Sequence, residues 1–288
     1  MERELWPLLY RTVVETARDL SQKYVQIPAW ALILTMLWAA LHDRPVSWAC
    51  RGSNWQTTKL RPGHLPSPAT MSRRIDGVAV GLLWRAVEER LRAAGGPPPL
   101  LAFLDGKPLP VGGCSKDPDA HYGHGAGMKA KGYKLHAVWA RAVVPESWEV
   151  TSLNLDESQV ARRLLPQLHG GGYLLADGRY DVNAVFDEAW QQGYQLFTPP
   201  PKHPPGRRKQ SPQRLRSIEA MTQSCWGERL YRQRIGIEAA FGNATSFGGG
   251  LGPLPAWVRG LDRVRTWVWA KLIINAARVL RNKDLRRF

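Results

Sequence analysis

YLLADGRYDVNAVFDEAWQQGYQLFT, residues 173 to 198, reads as strand, helix and strand. YLLA (Tyr173–Ala176) is a short apolar run of strand type that ends on Asp177, and YQLFT (Tyr194–Thr198) is another. Asp181 to Gln192 between them has the composition of a helix. Upstream, Leu100–Phe103 and Leu104 run straight into Asp105. A long loop containing Gly and His follows, then YKLHAVWA (Tyr133–Ala140), a turn at Pro145 and WEVTSLNL (Trp148–Leu155). Asp156 is placed to cap a helix that runs to about Leu168. Three antiparallel strands followed by parallel strands with helical crossovers predict an α/β fold, a mixed sheet flanked by helices. Active sites of such sheets lie beyond the carboxyl ends of strands. Asp105 and Asp177 are each expected at such an end.

ERLYRQRIGIEAAFG (Glu228–Gly242) comes after a basic, Pro-rich stretch, Pro199–Arg214, that is expected to be irregular and exposed. Read as one helix, it puts Tyr231, Arg234, Ile235, Glu238 and Phe241 on a single, inward face. A buried charge needs a partner or a metal, so Glu238 is either the ion-pair partner of Arg234 or a ligand. Gly236 costs about 1 kcal/mol relative to Ala in a helix, which suggests a close approach to the backbone there. A long closing helix is expected from Leu261 to Arg281.

Two aspartates at strand ends and a glutamate on a later helix make a set of oxygen donors. Such a set suits the hard cations Mg²⁺ or Mn²⁺, and two ions can clamp an in-line phosphoryl displacement. GHGAGMK (Gly123–Lys129) lacks the phosphate-binding loop pattern. Asp117, His121 and His124 do not complete a zinc set. Lys134 and His136 alternate on a strand, so they share a face that either lines the site and meets DNA or is solvated.

Residues 1–94 read as helical, and GGPPP (Gly95–Pro99) marks the domain boundary, with 100–288 as the catalytic domain. In SPATMSRRI, Ser67 is the expected N-cap and Pro68 the first helical residue. Arg73 and Arg74 then sit on a short helix where phosphate contact is plausible. A DNA-binding helical domain and a purely structural one both remain open. The 288 residues carry 40 Lys and Arg against 24 Asp and Glu, a net charge of +16 that points to a polyanionic partner, DNA first. Arg207 and Arg208 belong to a basic loop read as a DNA-backbone patch. Cys50, Cys114 and Cys225 show no pairing pattern. The apolar run Ile27–Leu41 contains Pro28 and falls short of the ~20 residues a bilayer requires. The expectation is a cytoplasmic protein with no membrane segment.

DGKPLPVGG after Leu104, GYKLH (Gly132–His136), LLADGRYD (Leu174–Asp181) and the series Tyr231, Arg234, Glu238 resemble, in order and spacing, the DDE transposases of bacterial insertion sequences. The resemblance runs from about residue 67 to 281. It implies a ribonuclease-H-like catalytic domain with Asp105, Asp177 and Glu238 as catalytic and metal-binding acids and two Mg²⁺ or Mn²⁺ ions. It also implies double-stranded DNA as partner, a homodimer on that DNA, and contact of Tyr231 and Arg234 with the element end. The chain departs from many relatives at Thr245, where a Lys is usual. It also has no room for a large β domain between Asp177 and Glu238. A nuclease that cuts without joining, and a relic that only binds DNA, are the competing readings.

Overall fold

The computed structural model describes residues 2–20, 26–97, 99–125, 127–140, 142–200, 206 and 209–285. Arg207 and Arg208 lie outside the described residues. The chain divides into two units, Pro97–Gly242 and Met1–Gly96 together with Asn243–Phe288. The first division falls on the Gly95–Pro99 punctuation. The second differs from a catalytic domain drawn as 100–288, because the described residues from 243 to 285 group with the N-terminal helices.

In that helical unit, α1 (Glu2–Asp19), α2 (Ala29–Leu41), α3 (Val46–Ala49), α4 (Pro68–Arg74) and α5 (Val78–Gly95) come before α11 (Leu261–Leu285) from the end of the chain. Apart from Trp30, every residue of α2 is buried, as its unbroken apolar sequence requires, and α1, α5 and α11 pack around it. Trp38 stacks on Trp55 with centroids 4.6 Å apart, and Trp6 meets Trp38 edge-on at 4.7 Å. Lys271 of α11 is buried, and its Nζ donates to Ala40 O (2.7 Å), Gly249 O (3.1 Å) and Asp43 Oδ1 (2.5 Å). Ser67 caps α4 by accepting from the Thr70 N–H. Among the described residues no helix is long and apolar enough to cross a membrane.

The other unit is built on a six-stranded sheet: β1 (Leu101–Pro110), β2 (His121–Gly125), β3 (Met128–Ala140), β4 (Ser147–Ser152), β5 (Gly172–Ala176) and β6 (Tyr194–Phe197). The order is β2-β3-β1-β5-β6, with β4 also paired to β3. The pairs β1–β3, β2–β3 and β3–β4 are antiparallel, whereas β1–β5 and β5–β6 are parallel. α6 (Glu157–Leu164), capped by Asp156, and α7 (Asn183–Gln191) supply Val160, Leu164, Val185 and Phe186. These pack against Ala102, Leu104, Leu174 and Ala176 of the sheet. The result is the mixed α/β sheet with helical cover that the strand pattern predicts.

Four details differ from the sequence reading. β1 does not end at Asp105 but continues to Pro110, because β3 goes on pairing with it after β5 has stopped. The Gly/His stretch holds a strand, β2. Its Gly123 is so close to the 153–154 turn that a Cβ there would lie 2.3 Å from Leu153 O. α8 (Pro212–Gln223) starts inside the stretch expected to be irregular, with Ser211 as its cap. Finally, Glu228–Gly242 is not one helix. It comprises α9 (Cys225–Tyr231), a 3-10 turn over Arg232–Arg234 and α10 (Ile235–Thr245).

Candidate active site

Parallel strands bring the two aspartates together. β1 pairs with β5 from Leu101 opposite Tyr173 to Leu104 opposite Ala176. Asp105 is the next residue of β1 and Asp177 the first residue after β5, so the two acids come side by side where the parallel pairing ends. Each is held by a local hydrogen bond. Asp105 Oδ1 accepts from the Gly106 N–H at 2.8 Å, and Asp177 Oδ1 accepts from the Arg179 N–H at 2.9 Å, capping the turn Gly178–Tyr180.

Tyr231 and Arg234 tie the later helices to this pair. The Tyr231 hydroxyl donates to Ala176 O at 3.1 Å, immediately before Asp177. The Arg234 guanidinium lies 3.7 Å from Asp105 Oδ2 through one nitrogen and 3.7 Å from Glu238 Oε1 through another. Arg234 thus stands between the first and third acids. The side chain of Glu238 is 64% exposed, against 23% for Asp105, which corrects the expectation of an inward glutamate. Ile237 and Phe241 are the buried residues of α10 in this unit, while Ile235 is exposed. Gly236 is explained by close approach, since a Cβ there would fall 2.6 Å from the Phe103 ring.

The family-model comparison matches the transposase DDE domain over residues 96–274. The chain belongs to that family. No curated protein and no solved structure matches it. The family's activity is transposition, so the substrate of this transposase is DNA.

Burial raises the Asp105 carboxyl to about 6. The Gly106 N–H opposes that rise, the neighbouring Asp177 charge adds to it, Arg234 opposes it and Glu157 adds to it. Asp177 is likewise raised, by burial first, with the Glu157 charge adding and the Arg179 N–H, Arg179 and Arg234 opposing. Burial thus outweighs the nearby Arg234 and Arg179 at both half-buried carboxyls, and a bound cation would favour their ionised forms. Oxygen donors alone suit Mg²⁺ or Mn²⁺, so the Asp105–Asp177 pair fits such an ion. Among the described residues no three of His, Cys, Asp and Glu stand close enough to hold a metal. In this transposase Glu238 is the acid that stands off, with Arg234 in between.

Lys134 and His136 are buried at 3% and 1% exposure, so the face they share is not a solvated one. Lys134 Nζ donates to Glu157 Oε1 at 2.5 Å, and Arg179 Nη1 donates to the same oxygen at 2.6 Å. His136 Nε2 lies 3.0 Å from Thr151 Oγ1. Burial pushes its imidazole down to about 4 and keeps it neutral at neutral pH. Gly106 sits opposite His136 in the sheet and leaves room for the Lys134 stem, which a Cβ would meet at 2.7 Å. Asp117 accepts from the Tyr133 hydroxyl at 2.7 Å and is a buried structural residue of the transposase.

The sequence reading missed Glu157. Its only visible sign is its place directly after the capping Asp156, which says nothing of the two cations that converge on it. Asp181, in the LLADGRYD motif, is held by a two-pronged Arg214 pair at 2.6 and 2.8 Å. Arg73 is exposed and Arg74 half-buried on α4, in the helical unit.

Proposed function

We propose that this chain is an insertion-sequence transposase that cleaves DNA at the element ends and joins the freed 3′-hydroxyl to target DNA, with Asp105, Asp177 and Glu238 as the catalytic acids. The observation that carries this is the parallel register that sets Asp105 beside Asp177, with Arg234 linking Asp105 to Glu238. The sheet order, antiparallel on one side of β1 and parallel on the other, supports a ribonuclease-H-like fold. Divalent cations bound by the three acids would activate the attacking oxygen and offset charge at the phosphorus. Asp105 and Asp177 present oxygens from fixed strand ends. Glu238, on a helix preceded by a 3-10 turn, closes in when Arg234 turns from Asp105 and Glu238 to a DNA phosphate. Tyr231, at the end of α9 and anchored on Ala176 O, holds the start of the turn that leads into that helix beside Asp177.

The net charge of +16 supports binding along the phosphate backbone, and Arg73 and Arg74 of the helical unit would take part. The working assembly is a homodimer, since two element ends must be held together. The test is an assay with the DNA flanking this gene as donor, a supercoiled target, and Mg²⁺ or Mn²⁺. Joined products that vanish in Asp105→Asn, Asp177→Asn and Glu238→Gln support the proposal. Cleavage without joining supports a nuclease. Salt-sensitive binding without any cleavage supports a DNA-binding relic, the reading that Thr245 favours.

A further inference from the structure

β1 runs on past the acid pair, and its alternate side chains form a row. Phe103, Asp105 and Lys107 share one face of the strand, because side chains two apart point the same way. The pairing with β3 continues without a bulge over these residues, so the row is unbroken. Gly106, between Asp105 and Lys107, faces the other way, toward Lys134 and His136. The first two members of the row are each met from the α10 side. Phe103 lies against Gly236, and Asp105 Oδ2 is 3.7 Å from the Arg234 guanidinium. Lys107 has no such partner. Among the described residues its ammonium makes no ion pair or hydrogen bond, and no carboxylate offsets its charge. The side chain is nevertheless half-buried. Its cross-strand neighbour is Leu135, flanked on that face by Ala137 and Tyr133, and all three are buried. The opposite edge is open, since parallel pairing with β5 stops at Leu104 and from Asp105 onward β1 pairs with β3 alone. A charge that is half out of water without a counter-charge is unfavourable, so this ammonium stands ready for an anion.

We propose that Lys107 is a phosphate-binding residue of the active site, its ammonium taking a non-bridging oxygen of the DNA phosphate that lies over Asp105 and Asp177. Twice the strand rise sets Lys107 about 6.6–6.8 Å along β1 from Asp105, a gap that a flexible four-carbon stem bridges. A point charge on such a stem suits a phosphate oxygen, and the phosphate supplies the counter-charge that the protein does not. Negative charge is spread over the non-bridging oxygens while phosphorus changes partners. The contact that holds the strand therefore also stabilises the transition state. The proposal rests on the transposase reading of the two aspartates, which brings a DNA strand to this place.

The test has two arms, both on the full chain. In metal-free buffer, affinity for a short duplex taken from the DNA flanking this gene is measured at several salt concentrations. Lys107→Gln should reduce the slope of log affinity against log salt by about one. Lys107→Arg should keep the slope, because the charge is retained. The thermal midpoint of Lys107→Gln should not fall, because no protein partner of the ammonium is lost. In the second arm, with saturating protein on the donor DNA and Mg²⁺ present, Lys107→Gln should slow cleavage of bound donor about hundredfold. An unchanged salt slope overturns the proposal and leaves Lys107 as a side chain that only carries its charge to water. A reduced slope with unchanged cleavage also overturns it, since the contact would then lie away from the cut. A wild type that binds the duplex but never cuts the donor fails the transposase reading instead, and the salt slope still decides whether Lys107 holds a phosphate.

Discussion

Asp105 is where burial, charge and register meet, and its protonation gives a sign that can be checked. Its carboxyl is raised to about 6 by burial, so the folded state holds this proton more tightly than the unfolded chain does. The stabilisation it gives is full below the ordinary carboxylate range and is lost as pH rises through about 6. At pH 7 the ionised group therefore works against the metal-free fold. Asp105→Asn should raise the metal-free midpoint at pH 7 by about 2–6 °C and have little effect at pH 4, while abolishing cleavage. A midpoint lowered at pH 7, measured by calorimetry, would count against the electrostatic account. His136 runs the other way. It is held neutral with its imidazole lowered to about 4, so its contribution is present above the ordinary histidine range and fades as pH falls. The same balance governs metal binding: affinity for Mn²⁺ should increase as pH rises from 5 to 7, following ionisation of Asp105.

Elements were legible from sequence where the signal is local. Ser67 and Asp156 are caps in the structure as in the sequence, and α2 fills the apolar run from the residue after Pro28 to Leu41. The face of the Glu238 helix was not legible. A 3-10 turn advances about 120° per residue against 100° in an α-helix, so Arg232–Arg234 shift the phase by roughly 60° and carry Glu238 outward. No composition signal marks that turn. Nor does periodicity say which unit a helix joins, and α11 associates with α1, α2 and α5. Gly236 was legible as a close approach, though not the Phe103 ring it approaches. Gly236→Ala should thus lose more from the Phe103 clash than the ~1 kcal/mol that alanine gains in a helix. We expect lower stability in a urea melt and at least tenfold slower cleavage, as the Arg234–Glu238 segment is pushed from Asp105. In the helical unit, Lys271→Met leaves two buried carbonyls, Ala40 O and Gly249 O, without this donor. It should cost about 2–4 kcal/mol in the same urea melt.

At the scale of the molecule, a basic chain with an acidic pair at its sheet end separates two tasks, holding a polyanion and reacting at one phosphate. Affinity should fall steeply with salt. Arg73→Ala should reduce the slope of log affinity against log salt by about one and leave the chemistry of bound DNA unaltered, which filter binding at several salt concentrations checks. The family and the α/β sheet were legible because four short motifs keep their order. The division at Gly242 was not, because it depends on how the last helix packs. The central claim is that Asp105, Asp177 and Glu238 meet around divalent cations once DNA is bound. Mn²⁺ affinity of the DNA complex, followed by electron paramagnetic resonance in the wild type and in Glu238→Gln, tests it most directly. The account predicts at least tenfold weaker Mn²⁺ binding in the variant; equal affinity, with cleavage intact, would contradict it.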